Sequence, residues 1–278
     1  MKQRAALAGK LHSLRRDLCV RFAASSALRL AAQCAAAFGA CFFLAGIRLL
    51  GRSVPAALAL LAAMPFSLAA VCSFFGAICG YLAFWGAAGV FEPAAAGFLI
   101  LAELCIFSDL LPRDRKWFPP ASACALYALI GTLSLLSGGA QGREIVFFCA
   151  RLLLLAVCTA VFSAALHEKS RSARGLLALF LLAGCSAVRL PGGVPLSAVL
   201  ASGAVFLALS GADALLTAAA CGLALDLTCG AEPSMTAVFS LAALVCRTPF
   251  LSSRIPRAAA FLVCCLSAVL FSGGAGLA

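Results

Sequence analysis

Three ionisable residues stand inside long apolar stretches: Glu103, Arg151 and Asp226. Ionisable groups at membrane depth are expensive, so they mark proton or substrate relays, or else structural acid–base pairs and groups that reach for the interface. Arg151 begins about two turns into its apolar run, close enough to reach outward. The structural reading is preferred, because such groups commonly pair or reach the interface. Asp109 and Asp213 fall at the ends of apolar runs and need no special account. Nucleophilic catalysis finds no support. His12 and His167 both lie in basic segments, and no D-x-D cluster, Gly-x-Ser-x-Gly or phosphate-cradling Gly loop occurs. No catalytic, cofactor-binding or metal-ligating residue is therefore assigned. The 15 cysteines contain no C-x-x-C, the closest approach being Cys264–Cys265. Most, such as Cys72, Cys79, Cys158 and Cys221, sit in apolar runs where Cys serves as a small hydrophobe.

The elements that would hold these residues follow from composition. The chain has 278 residues, 64% apolar and 11% charged, against about 45–50% and about 25% in a soluble domain. That excess excludes a soluble globular protein and a disordered one. Near-continuous apolar runs such as Leu176–Val188 and Ala237–Val245 exclude the alternation of a membrane β-barrel. The expected fold is all-α, a polytopic helical bundle of about 10–11 spans of about 20 residues each. Spans are expected near 31–47, 54–72, 74–90, 94–111, 119–136, 145–166, 176–188, 194–210, 212–229, 234–246 and 258–272. Residues 53–112 contain no Lys or Arg, and their division rests on Pro65/Ser67 and Glu92-Pro93 as breakers. Gly76-x-x-x-Gly80 and the small residues of Ala218–Gly230 offer faces for close helix packing, within the chain or with a second copy. No repeat of fixed period is visible; the Gly and Pro clusters at 191–193 and 230–233 find no mate in the first half.

The net charge is +11, carried by basic residues between apolar runs rather than on a basic face, so nucleic acid is not the partner. Counted from a cytoplasmic N-terminus, the inner loops hold sixteen basic residues. They are Lys2, Arg4, Lys10, Arg15, Arg16, Arg21, Arg29, Arg113, Arg115, Lys116, Lys169, Arg171, Arg174, Arg247, Arg254 and Arg257. The outer loops hold four, Arg48, Arg52, Arg143 and Arg189. That asymmetry places the N-terminus in the cytoplasm and the chain in the plasma membrane as a multi-pass protein. Residues 1–30 are expected to form a separate cytoplasmic segment, either a basic, surface-lying helix with Leu7, Leu11, Leu14, Leu18 and Phe22 on one face or a plain positive-inside anchor, which accounts for the charges equally well. Its length exceeds the n-region of a cleaved signal. Residues 31–278 form the membrane domain, whose eleven spans put Ala278 outside.

Three stretches carry a family likeness. They are 44–66 (LAGIRLLGRSVPAALALLAAMPF), 208–246 (ALSGADALLTAAACGLALDLTCGAEPSMTAVFSLAALVC), and the basic loop RTPFLSSRIPR with the following AAAFLVCCLSAVLFSGGAG. In order and spacing the chain resembles the N-terminal membrane domain of stage II sporulation protein E of endospore-forming Firmicutes. The resemblance implies a membrane anchor and oligomerisation domain at the asymmetric division septum. It also implies a central region that assembles with the division protein FtsZ, and a manganese-dependent PP2C-type serine phosphatase. That phosphatase acts on a phosphorylated anti-sigma-factor antagonist and so releases the forespore sigma factor. The central region, the phosphatase and its metal-binding aspartates are absent from this chain, so no catalytic residue carries over and manganese is expected only in the missing domain. The partners expected here are the lipid bilayer, further copies of the chain and, through the missing region, FtsZ and other division proteins. A second expectation is a small multi-span transporter or a vitamin-uptake substrate-binding subunit. GLALDL at 222–227 is similar to the rod-shape protein MreD, in chains that are much shorter.

Overall fold

Long runs of Ala, Leu and Phe without charge form helices, which pair every backbone group within their own segment. The computed structural model describes residues 26–49, 52–106, 117–138, 142–168, 170–191, 195–209, 213–229, 235–246 and 259–263. The N-terminal basic segment, the loops bearing Arg113–Lys116 and Arg247–Arg257, Asp109, Cys264–Cys265 and most of the last expected span lie outside them. Helix α1 (Ser26–Ala45) leads into a short antiparallel hairpin, β1 (Arg48–Leu49) and β2 (Arg52–Ser53), with Arg48 opposite Ser53 and Leu49 opposite Arg52. Pro55 then opens α2 (Ala56–Ala63), eight residues that are all buried. It ends at Met64, whose extended backbone is what the following Pro65 demands. Ser67 caps the next helix, its Oγ accepting the amide of Ala70 at 3.3 Å. That helix, α3 (Leu68–Ile106), is a hairpin of two arms folded at Gly86, where φ of +71° favours glycine. Gly97 of the second arm faces Phe74 of the first and Leu58 of α2, so the arms run antiparallel. Helices α4 (Phe118–Gly138) and α5 (Gly142–Leu166) form a second antiparallel hairpin, tied by Cys124 to the Leu152 carbonyl and by Tyr127 stacked on Phe148.

The remaining helices are α6 (Arg171–Gly184) with a 3-10 turn (Cys185–Ala187), α7 (Leu196–Ala208), α8 (Ala214–Cys229) and α9 (Met235–Cys246), followed by a helical stretch at 259–263. They retrace the path of α1 to α3. Ile47-Arg48-Leu49, Gly51 and Val54-Pro55 in the first half are matched by Val188-Arg189-Leu190, Gly192 and Val194-Pro195 in the second. The residue before each arginine uses its carbonyl to close the turn: Ile47 accepts from the Val54 amide at 3.3 Å and Val188 from the Leu196 amide at 2.9 Å. A helix follows each Val-Pro, then a helical pair. The first arm of α3 runs parallel to α1, with Gly76 on Phe38 and Gly80 on Phe42. Likewise α8 runs parallel to α6. The Arg171–Asp213 ion pair joins their starts, and both ends reach the α1–β1 corner. Gly184, closing α6, packs on Phe43 near the end of α1, so the two halves point the same way. Such repeats are related by an axis along the bundle rather than across it.

Five of the described helical segments are long and apolar enough to cross a membrane: Ala27–Ala45, Leu68–Ala87, Gly89–Ile106, Phe118–Leu136 and Gly142–Leu166. Shorter apolar helices are Leu196–Ala208, Ala214–Thr228 and Met235–Cys246. The all-α expectation holds. The expected division of 53–112 is corrected in two places. The apolar run at 54–72 is not a span but the buried half-helix α2, a break, and the start of α3. The turn between the next two spans lies at Gly86, not at Glu92-Pro93, because Pro93 is accommodated inside the second arm. The absence of an internal repeat is corrected as well: the Gly and Pro cluster at 191–193 has its mate at 51–55. Two apolar cores result. The larger surrounds α2 and draws on α1, α3, α4 and α5; the smaller gathers α7, α8, α9 and Phe261.

Candidate functional site

Since α1 and the first arm of α3 run the same way, the chain between them must return across the bundle. It does so through the hairpin, α2 and the non-helical Met64–Ser67. Irregular backbone inside an apolar bundle is tolerated only where its polar groups find partners. Side chains of neighbouring helices supply them. Tyr81 donates its hydroxyl to the Val54 carbonyl at 3.2 Å, and Trp85 donates its indole N–H to the Ala45 carbonyl at 2.8 Å. Cys41 lies 3.6 Å from the Ala57 carbonyl. Ser73 donates to its own helix at Ala69, 2.9 Å away, and meets the Met64 sulfur at 3.1 Å.

Arg151 belongs to this set. From α5 it donates through Nε to the Ser53 carbonyl at 3.3 Å and through Nη2 to the Ser53 hydroxyl at 2.5 Å. Its Nη1 is shared between both carboxylate oxygens of Glu92, each at 3.3 Å. One guanidinium thus joins β2, the second arm of α3 and α5. Beside it is a cavity of about 330 Å³ lined by Arg52, Glu92, Ser134, Glu144, Phe148 and Arg151, where charged and apolar surface meet. Phe147 floors its mouth, with the guanidinium of Arg52 at 5.1 Å and that of Arg143 at 5.5 Å from the ring centroid. Such a site offers cations on an aromatic face and two carboxylates. It can hold a small polar molecule.

The expected intramembrane charged residues thus separate. Arg151 pairs with Glu92, not with Glu103. Glu103 is half-buried in the same arm, eleven residues further on, about 16 Å by helical rise. Asp226 serves a different purpose: its Oδ1 accepts the Met235 amide at 2.6 Å, and its Oδ2 accepts the Thr236 amide at 3.0 Å and hydroxyl at 2.6 Å. A carboxylate on the first amides of α9 satisfies donors that a helix start leaves open, and it complements the positive end of the helix dipole. The helix-packing glycines Gly76 and Gly80 are used within the chain. A Cβ at either would collide with the carbonyl of Phe38 or Phe42, so these positions bring α1 and α3 into backbone contact. Gly222 performs the same service for α8 against Thr236 of α9.

Glu92, Arg52, Ser53 and Glu144 are site residues that sequence reasoning passed over. Glu92 was legible only as half of a Glu-Pro breaker, and Arg52 only as a loop charge. The signal that could have found them is the need for an anion within reach of Arg151. Among the described residues, no three His, Cys, Asp or Glu side chains gather as a metal site, and the described cysteines are free thiols. No protein family, curated protein or solved structure matches the chain.

Proposed function

We propose that the chain is an integral membrane anchor and assembly domain of a stage II sporulation protein E-like serine phosphatase, seated in the plasma membrane with its N-terminus in the cytoplasm. One observation carries the anchor reading: two of the charged residues inside apolar helices, Arg151 and Asp226, are engaged in holding the bundle together. Arg151 binds the irregular backbone at Ser53 as well as Glu92, and Asp226 caps a helix. A transport path would instead keep such groups available to cargo. The family assignment rests on the three stretches named above. The first coincides with the hairpin and half-helix around Arg48–Ala63, the second with the α8–α9 pair. The basic segments attract anionic lipid at about 1 kcal/mol per residue near the surface. In this reading they face the cytoplasm, where the family's FtsZ-assembling region and manganese-dependent phosphatase work. Because Gly76 and Gly80 are occupied inside the chain, self-association falls to other faces, such as the exposed Val199 and Leu207 of α7.

The test is septal localisation in sporulating cells whose full-length phosphatase carries this chain as its membrane domain. A septal band with forespore sigma-factor activity is expected; diffuse membrane signal contradicts the reading. A transporter or substrate-binding subunit is the second reading, favoured by the charged cavity beside Arg151. It predicts an uptake activity abolished by Glu103→Gln or Glu144→Gln. The anchor reading predicts that Glu103→Gln changes stability alone.

A further inference from the structure

Between the two halves lies a second cavity of a different kind, about 400 Å³ and almost wholly apolar. Helices α6 and α8 form its walls through Leu176, Phe180, Ala220 and Leu223, with Leu154 of α5 behind them. The small residues on α8 leave the gap; Leu176 and Leu223 stand exposed at its lips, so it opens sideways. From Ala220 to Thr228 the groove runs about 12 Å along the bundle. At one end stand Arg48 and Thr228, while the wall of the slot itself is hydrocarbon and the Thr228 hydroxyl is turned back to its own helix at the Ala224 carbonyl, 2.8 Å away. Arg48 is held there by the face of Trp85, 5.2 Å from the ring centroid, and Trp85 is itself fixed by its bond to Ala45. Trp and Arg together mark the level of lipid headgroups. Ligand sites combine this volume and apolar lining with one or two placed polar groups.

We propose that this groove seats one alkyl chain of a phospholipid, with the anionic phosphate headgroup on Arg48. The inference rests on the membrane embedding of the chain and on nothing else in the functional reading. An apolar slot open to the side within a membrane is filled by hydrocarbon. A cation fixed at its headgroup end selects lipids of negative charge over zwitterionic ones. Among the described residues Arg48 makes no ion pair with a carboxylate; it is exposed at the end of the slot, its guanidinium over the Trp85 ring.

Thermal unfolding of the purified full chain in detergent micelles doped with phosphatidylglycerol or phosphatidylcholine of matched chains tests this, because a ligand that binds the folded state raises its melting temperature. Phosphatidylglycerol is expected to raise the melting temperature by several degrees more than phosphatidylcholine. Arg48→Gln is expected to abolish that difference. Arg189→Gln, the same charge change on an exposed residue of the other hairpin, is expected to preserve it. Glycerol phosphate, which lacks a chain, should produce no shift. Equal shifts from both lipids in the wild type would overturn the headgroup site while leaving the membrane reading intact; so would equal losses in Arg48→Gln and Arg189→Gln, or a full shift from glycerol phosphate. No response to either lipid, with the chain soluble without detergent, would overturn the membrane reading itself. Ala224→Phe is expected to fill the slot and remove stabilisation by both lipids. Should that variant fail to fold, native mass spectrometry of the wild type and Arg48→Gln decides instead. One phosphatidylglycerol retained by the first and lost by the second supports the site, and equal retention refutes it.

Discussion

The two halves follow one path and use it differently. After Val54-Pro55 the chain enters α2, buried on every side by α1, α3, α4 and α5. After Val194-Pro195 it enters α7, whose outer face is open: Leu60 is 4% exposed, whereas Leu200, equally far beyond its proline, is 46% exposed and Leu207 77%. The local instruction is shared, an Arg-Leu hairpin followed by Val-Pro and a small apolar helix. Burial is decided elsewhere, by whether the α4–α5 hairpin lies across the helix. A half-helix buried all round needs side chains to satisfy the irregular backbone beside it, and the first half recruits Tyr81, Trp85 and Arg151 for this. Repetition of a path therefore does not repeat a site. The charged cavity belongs to the half that α5 covers, and the apolar groove lies where the halves meet.

The largest expected effect comes from backbone contact. Gly80→Leu should prevent α1 and α3 from closing and abolish folded, monodisperse protein on size exclusion. Gly203→Leu in α7, where nothing lies within 4 Å of a Cβ, should leave the protein intact. Next comes burial. Leu60→Ala should lower unfolding free energy by about 2–5 kcal/mol, and Leu200→Ala by under about 1 kcal/mol, both read by steric-trap or denaturant unfolding. If the two cost the same, the contrast in burial between α2 and α7 is wrong. Third is the charge pair. Arg151→Gln and Glu92→Gln should each destabilise, between the about 1 kcal/mol of an exposed pair and the about 3–5 kcal/mol of a broken buried one. Arg151→Gln should be the worse, since it also strands Ser53. The double variant should cost less than the two singles added, with Glu103 and Arg151 showing no such coupling. Smallest is the cap in the second half: Asp226→Ala should cost about 1–2 kcal/mol and raise amide exchange at Met235 and Thr236.

Much of this was legible. Apolar runs separated by Gly, Pro and charge located most helices to within a few residues, because length and hydropathy leave a chain in lipid few alternatives. The half-helix was not legible. Residues 54–72 are as long and apolar as a span, and a helix buried all round has no polar face to betray it. The repeat hid for a related reason: in an Ala- and Leu-rich background only the Arg-Leu-x-Gly and Val-Pro steps distinguish it. The Arg151 partner was missed because hydropathy shows which residues lie inside apolar segments but not which helices are neighbours. Glu92 and Glu103 lie on one arm, and only the fold at Gly86 and the crossing of α5 decide between them.

Reporter fusions placed after Gly51 and after Gly192, in the two matching hairpins, test the central claim most directly. Halves that point the same way put both reporters on the side opposite those at Arg115 and Arg171, with the latter two in the cytoplasm. Opposite signals from Gly51 and Gly192 would make the repeat an inverted one and contradict the account.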